Sequence, residues 1–453
     1  MARFMDLLRS GVWLTRARMR LVALALLAAM LIGAGFLIAT SNGLNDRFGR
    51  PLGTDFSNVY AAGTYVRDGE PAAPFDPARQ YAREQAIFGK STQFYGWHYP
   101  PFFLGLAALL ATTPYWLSLL VWQGVTLVLY LLAIRAIVSG HLPLKGEGRS
   151  RSDREGVNGG ASDGSPPGAL RAPTPPLQGE VMNEHLWLLF ALAFPAVFIN
   201  LGQAHNGFLT AALIGAALVQ LDRRPILAGI LIGLLAYKPQ FGLLIPLVLI
   251  ASARWRVFAA AAVTVALMAL AVTLAFGLDV WSAFLASTKF TRTVVLEQGD
   301  TRWYKIQSVF SWVRMWGSSI ALAYALQIAL TLALAAALIW LWRSQAAFPL
   351  KAAGLLIGSL LATPYSLDYD LMLLAPAIAY LAVDGLNRGF APWQKTVLAG
   401  LWIVPLVARS VPQATLIPLA VPIMLLAMTL LLRRAMSDCG APRPWNFAPR
   451  PLK

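Results

Sequence analysis

Asp55 opens the most informative stretch of the 453-residue chain, GTDFSNVYAAGTYVRDG (53–69). A carboxylate here stands just ahead of an amphipathic pattern that puts Phe56, Val59 and Tyr60 on one helix face. It could serve a functional site, although the same position suits an N-cap, which aspartate favours. YGWHYPPF (95–102) places His98 and Tyr99 either against a ligand or in an aromatic belt at a membrane boundary. NLGQAHNGF (200–208) gathers Asn200, Gln203, His205 and Asn206 in one turn, where amide and imidazole groups could bond sugar hydroxyls or simply make the turn. In LLAYKPQFGLL (234–244), Lys238 lies between apolar runs, where a charge costs about 2.5–3.5 kcal/mol on insertion scales. Such a lysine needs an anionic partner, for which a phosphate would serve, or must snorkel to the interface. Pro239 breaks the helix there and frees backbone groups that Gln240 could satisfy. In ATPYSLDYDLMLL (362–374), Asp368 and Asp370 flank Tyr369. Residues two apart do not share a helix face, so one of the pair is expected to point inward. Two carboxylates on one turn are too few oxygen ligands for a divalent cation, and no metal or other cofactor is expected.

The elements that must position these residues are apolar. Hydrophobic residues make up 57% of the chain and charged ones 13%, about half the charged share of a soluble domain. Water-facing residues cannot cover such a core, so lipid must. An apolar run from Leu21 to Ala39 follows five arginines and exceeds the ~7–15 residues of a signal-peptide core; it reads as a first span with a cytoplasmic N-terminus. Further apolar segments run roughly 101–113, 115–138, 185–202, 206–221, 226–237, 240–252, 257–276, 318–342, 352–365, 370–384, 396–410 and 415–432. The expected fold is all-α: a polytopic helix bundle of about twelve membrane segments. Basic clusters at 135–154, 223/224, 254/256, 343/351, 388/395 and 433/434 bracket pairs of segments. The positive-inside rule sets these in the cytoplasm. The loops 41–100, 203–206, around 238, 277–308, 364–370 and around 409 then face outward. Parity requires 101–113 to dip in without crossing. The net charge of +16 is spread over these short loops, which argues orientation in a membrane and against a nucleic-acid partner. The lone Cys439 excludes an internal disulfide and a cysteine metal cluster. Residues 140–183 lack aromatic residues, mix both charges and are rich in Gly, Pro and Ser, the composition of a disordered cytoplasmic insert. Residues 434–453 read as a cytoplasmic tail. The polar motifs all fall on the outward side, which points to one site within a single membrane domain spanning 1–453.

Taken in order, GTDFSNVYAAGTYVRDG, HYPPFFLGLAALL, NLGQAHNGFLTAALIG, RPILAGILIGLLAYKPQFGLLIPL and TPYSLDYDLMLL resemble family 87 of the glycosyltransferases, polyprenol-phosphate-mannose-dependent mannosyltransferases of the GT-C superfamily. The resemblance covers about residues 20 to 384. It implies an enzyme of the plasma membrane that moves a mannose-like sugar from a polyprenyl-phosphate donor to a glycan or glycolipid acceptor on the extracytoplasmic face. By similarity Asp55 takes the position of the catalytic base, with inversion at the anomeric carbon. Lys238, with Arg67 or Arg302, is then the candidate for the donor phosphate. Tyr60, His98, Tyr99, Gln203, Asn206, Gln240, Asp368 and Asp370 are candidates for the sugar or acceptor. The DYD motif often follows a histidine in relatives, whereas Tyr365 stands in the corresponding stretch here. A transporter or lipid flippase would share the spans and the buried polar residues. Such proteins often repeat their broken helices in two halves, and no second copy of the GTDF or DYD segment is visible.

Overall fold

The computed structural model describes residues 1–141 and 186–440. The expected 140–183 insert, beyond its first two residues, and the expected 434–453 tail, beyond its first seven, lie outside them. Among the described residues all regular structure is helical, with isolated bridges as the only β pairing. α1 (Ala2–Ser10) ends at Gly11 in the left-handed region. α2 (Arg16–Ala39) starts at Thr15, whose hydroxyl accepts the Arg18 N–H. Its 24 residues reach ~36 Å at 1.5 Å each, past the ~30 Å of a bilayer core.

The 41–100 stretch folds into α3 (Thr54–Arg67) and α4 (Pro77–Phe88), the latter capped by Asp76 with Pro77 at its first position. α3 packs on α5 (Leu104–Leu110) across Gly63, where a Cβ would stand 2.1 Å from the Ala107 carbonyl oxygen. Then come α6 (Tyr115–His141), α7 (Leu186–Leu192), α8 (Pro195–Gln203), α9 (Gly207–Gln220), α10 (Pro225–Gly233), α11 (Ile245–Ala251), α12 (Trp255–Phe276) and α13 (Asp279–Phe290). α14 (Val309–Met315), α15 (Ile320–Arg343), α16 (Phe348–Ala362), α17 (Leu374–Arg388), α18 (Gln394–Val407), α19 (Ser410–Thr415) and α20 (Ala420–Gly440) complete the described residues.

Among the described residues six helices are long and apolar enough to cross a membrane: α2, α6, α12, α15, α20, and α17 with the turn before it (Asp368–Arg388). A seventh span results if α7 and α8, bent by 48°, count as one. The other expected segments appear as apolar helices of 10–17 residues, Pro101–Leu110 among them. Prolines divide them: Pro101, Pro195, Pro225 and Pro239 each start a helix or turn, because proline fits the first helical turn but breaks an interior. α9, α16 and α17 form the buried centre, while α2, α12 and α15 keep large apolar side chains on the exterior. A helix apolar all round fits a lipid surround.

Candidate active site

Every polar motif of the sequence falls at a junction between helices, and five of these junctions converge. Gly53 precedes α3 in the left-handed region, and a Cβ there would lie 2.8 Å from Ala204 Cβ and 2.7 Å from Leu119 Cδ1. Only glycine tolerates both the backbone angle and the contact. This approach sets the start of α3 against the turn 203–206. α6 holds both sides: Tyr115 Oη donates to the Leu52 carbonyl at 2.6 Å, and Trp122 Nε1 to the Ala204 carbonyl at 3.1 Å.

Asp55 and Gln203 therefore meet. With the Gln203 amide nitrogen turned to the carboxylate, as its two partners require, it donates to Asp55 Oδ2 at 2.9 Å. The Gln203 amide oxygen accepts from Arg409 Nη2 at 2.6 Å. Arg409, between α18 and α19, also grips Asp368 through Nε and, at 3.1 Å, through Nη2. Asp55 is half-buried. Burial pushes its carboxyl up to about 7, only partly opposed by the Arg409 charge, while Asp368 nearby adds to the rise.

The DYD stretch forms a 3-10 turn, Asp368–Leu373, and this corrects the expectation that one aspartate alone points inward. Both are buried, and each takes a different cation. Lys238 Nζ donates to Asp370 Oδ1 at 2.6 Å, while Leu367 N–H donates to Oδ2 at 3.0 Å. The partner of the buried lysine is thus a carboxylate of the chain itself, where a donor phosphate was expected. Lys238 is presented by the break between two 3-10 turns, Leu234–Tyr237 and Pro239–Gly242. Proline disfavours the helical region for the residue before it, and Lys238 has φ −130 and ψ 71.

Aromatic rings wall the cluster. His205 stacks on Tyr369 with centroids 3.5 Å apart, and its Nε2 bonds Tyr99 Oη at 3.0 Å. Asn200 Nδ2 donates to the Tyr369 carbonyl at 3.0 Å and Asn200 Oδ1 accepts the Gly207 N–H at 3.0 Å, tying the 200–207 turn to the DYD turn. Asn206 is buried with neither amide atom bonded among the described residues, and the same holds for His205 Nδ1. Groups like these suit a hydroxyl-bearing ligand or water.

Other expected site residues stand elsewhere. Arg67 is at the far end of α3, twelve residues or ~18 Å along the axis from Asp55; its Nη1 donates to the Ala111 carbonyl at 2.6 Å. Tyr60 bonds the Thr113 carbonyl at 2.9 Å and packs edge-on against Tyr115. His98 Nδ1 meets Thr291 Oγ1 at 3.1 Å, and burial lowers its imidazole to about 4. Gln240 is half-buried on the turn after Lys238, and Arg302 is exposed.

Two cations were not singled out in the sequence, Arg409 and Lys305. Lys305 ends a 3-10 turn, Trp303–Lys305, held to the DYD turn by Gln307 N–H donating to the Ser366 carbonyl at 2.6 Å. It is half-buried and makes no ion pair among the described residues. Burial, together with the Arg409 charge, holds its ammonium below the ordinary lysine range, while Asp368 and Asp55 oppose that shift. Both residues lie in loops assigned to the outward side, where the positive-inside rule expects few basic residues. That departure was the available signal.

The model for glycosyltransferase family 87 matches residues 97–364, more than half of the chain. The chain belongs to glycosyltransferase family 87. Nothing among the curated proteins or the solved structures matches it. The match takes in Tyr99, the 200–206 turn, Lys238 and Lys305, while Asp55, the DYD turn and Arg409 lie beyond its ends. Family and apolar helices together make this a membrane glycosyltransferase, which decides against the transporter reading.

Proposed function

We propose that this glycosyltransferase moves a mannose-like sugar from a polyprenyl phosphate to a hydroxyl of a glycan or glycolipid at the extracytoplasmic face of the plasma membrane. Asp55 is the base. In the step, an acceptor oxygen bonds to the anomeric carbon, the bond from that carbon to the phosphate oxygen breaks, and the hydroxyl proton passes to Asp55. Polyprenyl phosphate leaves with the electron pair. A phosphate already leaves well, so the chain need supply only a base and positive charge. Direct displacement inverts the centre, so a β-linked donor yields an α-linked product. No metal ion or other cofactor takes part in this scheme. The fold in this reading is of GT-C type, one domain with about a dozen segments, both termini cytoplasmic and 41–100 as its outer loop.

The observation that carries the proposal is the division of charge. Three carboxylates and three cations converge; among the described residues Asp368 and Asp370 are each held in an ion pair, and Asp55 is held only by a neutral amide. It is therefore the carboxylate left to take a proton, and a base works best with a pKa near the operating pH. On the cationic side Lys305 is the charge left over. We assign the donor phosphate to Lys305 and Arg409 in place of Lys238, since fixed cations aimed at developing negative charge act strongly in a dry site. Asn206, His205 and Tyr99 are the candidates for sugar hydroxyls.

The test is transfer of label from radiolabelled polyprenyl-phosphate sugars in membranes holding the full chain. Asp55→Asn should insert normally and lose about 10²–10⁴-fold of the rate. Transfer within a few-fold of the parent would remove Asp55 from the role of base.

A further inference from the structure

α1 has no part in the site. At 100° per residue, Phe4, Met5, Leu7 and Leu8 fall on one face of its nine residues, and Arg3, Asp6, Arg9 and Ser10 on the other. The apolar face is uncovered by the described residues: Phe4 is 62% exposed, Met5 and Leu7 45% each. The helix is nonetheless held in place. Trp393 N–H donates to the Arg9 carbonyl at 2.7 Å and Thr396 Oγ1 to the Leu8 carbonyl at 2.6 Å, while Trp13 Nε1 donates to Thr396 Oγ1 at 3.2 Å. These bonds fix the C-terminal end of α1 on the start of α18 and leave its apolar face turned away.

Two observations say what covers that face. Five residues separate α1 from α2, and α2 begins with its own exposed apolar side chains, Leu21, Val22 and Leu24. The uncovered face thus continues into a surface that meets lipid. The charge is one-sided as well: Arg3, Arg9, Arg16, Arg18 and Arg20 stand against the single acid Asp6 in the first twenty residues. An amphipathic helix with arginines on its polar side lies in a membrane interface and favours anionic lipid.

We propose that α1 is an interfacial helix that beds Phe4, Met5 and Leu7 into an anionic lipid leaflet beside the first span. It is separate from the transferase site, so its test does not depend on turnover.

The full chain carrying Cys439→Ser receives a single cysteine by Phe4→Cys or by Asp6→Cys, labelled with a small polarity-sensitive fluorophore. The two positions are ~200° apart around the helix. Each protein is placed in nanodiscs of phosphatidylcholine, with and without phosphatidylglycerol, and quenched with doxyl-labelled lipid. At position 4 the emission should shift to the blue and be quenched in the anionic discs, while position 6 stays water-like. Arg3→Ala and Arg9→Ala should each lower the ratio of embedded to water-exposed α1 about five-fold, the equivalent of ~1 kcal/mol per arginine. Equal quenching at both positions overturns the proposal, as does quenching indifferent to phosphatidylglycerol. A blue shift at position 4 without lipid quenching also overturns it, because protein would then be the cover.

Discussion

Removing Lys238 while Asp370 stays leaves a carboxylate inside the protein with one backbone donor, the Leu367 N–H. Removing Asp370 alone leaves an ammonium beside the faces of Tyr369 and Phe241, 5.2 and 5.6 Å away. At an effective dielectric of about 20, charges at the observed 2.6 Å attract by roughly 6 kcal/mol, and much of this offsets the loss of hydration. The net cost of breaking such a pair from one side is about 3–5 kcal/mol. Lys238→Met and Asp370→Asn should each destabilise by that amount. The double variant buries no unpaired charge, and the asparagine oxygen can still accept from Leu367. It should fall within about 2 kcal/mol of the parent, a coupling of at least ~4 kcal/mol. Denaturant unfolding in mixed micelles, followed by tryptophan fluorescence, measures all four proteins. Losses that add, with coupling below ~1 kcal/mol, would show that the lysine and the aspartate are not each other's main partner and would reopen Lys238 as a ligand for the donor.

Three further outcomes follow from the site. Burial raises the Asp55 carboxyl to about 7, and the base acts deprotonated, so kcat/KM should be constant above that pH and fall ten-fold per unit below it; a flat profile down to pH 5 removes a group titrating near 7. Lys305→Met should raise the donor KM or lower kcat by about ten-fold or more in the label-transfer assay, with little change in thermal stability, because Lys305 breaks no ion pair among the described residues. Gly53→Ala forces a Cβ to within 2.8 Å of Ala204 Cβ at φ +70, and should lower transfer while Asp55 and Gln203 are both still present; an unchanged rate would mean the close approach does not align them.

Much of the site was legible because its residues interrupt apolar runs. Lys238 stands out when its neighbours are leucines, and so do the DYD aspartates. What the linear pattern withheld was who meets whom. Lys238 and Asp370 are 132 residues apart, and nothing local marks them as partners, so the lysine looked free for a phosphate. Arg67, a candidate for the donor phosphate, shares a motif with Asp55, yet a straight helix carries them to opposite ends. The two DYD aspartates were read on α-helical spacing, while the turn is 3-10 and sends them to separate cations. The length of each helix was withheld for a related reason. Hydropathy marks a run as apolar whether its helix continues or stops at a proline, and only the backbone distinguishes these.

The separation of Lys238 from Asp370 also bears on how the chain is made. At about 5–20 residues per second, roughly 7–26 s pass between the synthesis of the lysine and of its aspartate. During that interval the segment 225–251 must enter the membrane with an unmatched charge, costing about 2.5–3.5 kcal/mol. The same segment holds thirteen leucines and isoleucines, each favouring insertion by up to ~0.3–0.6 kcal/mol, a sum large enough to carry the lysine in. Arrival of the DYD turn then neutralises it. In biosynthesis the ion pair is a late latch, joining two segments that the insertion machinery handles separately.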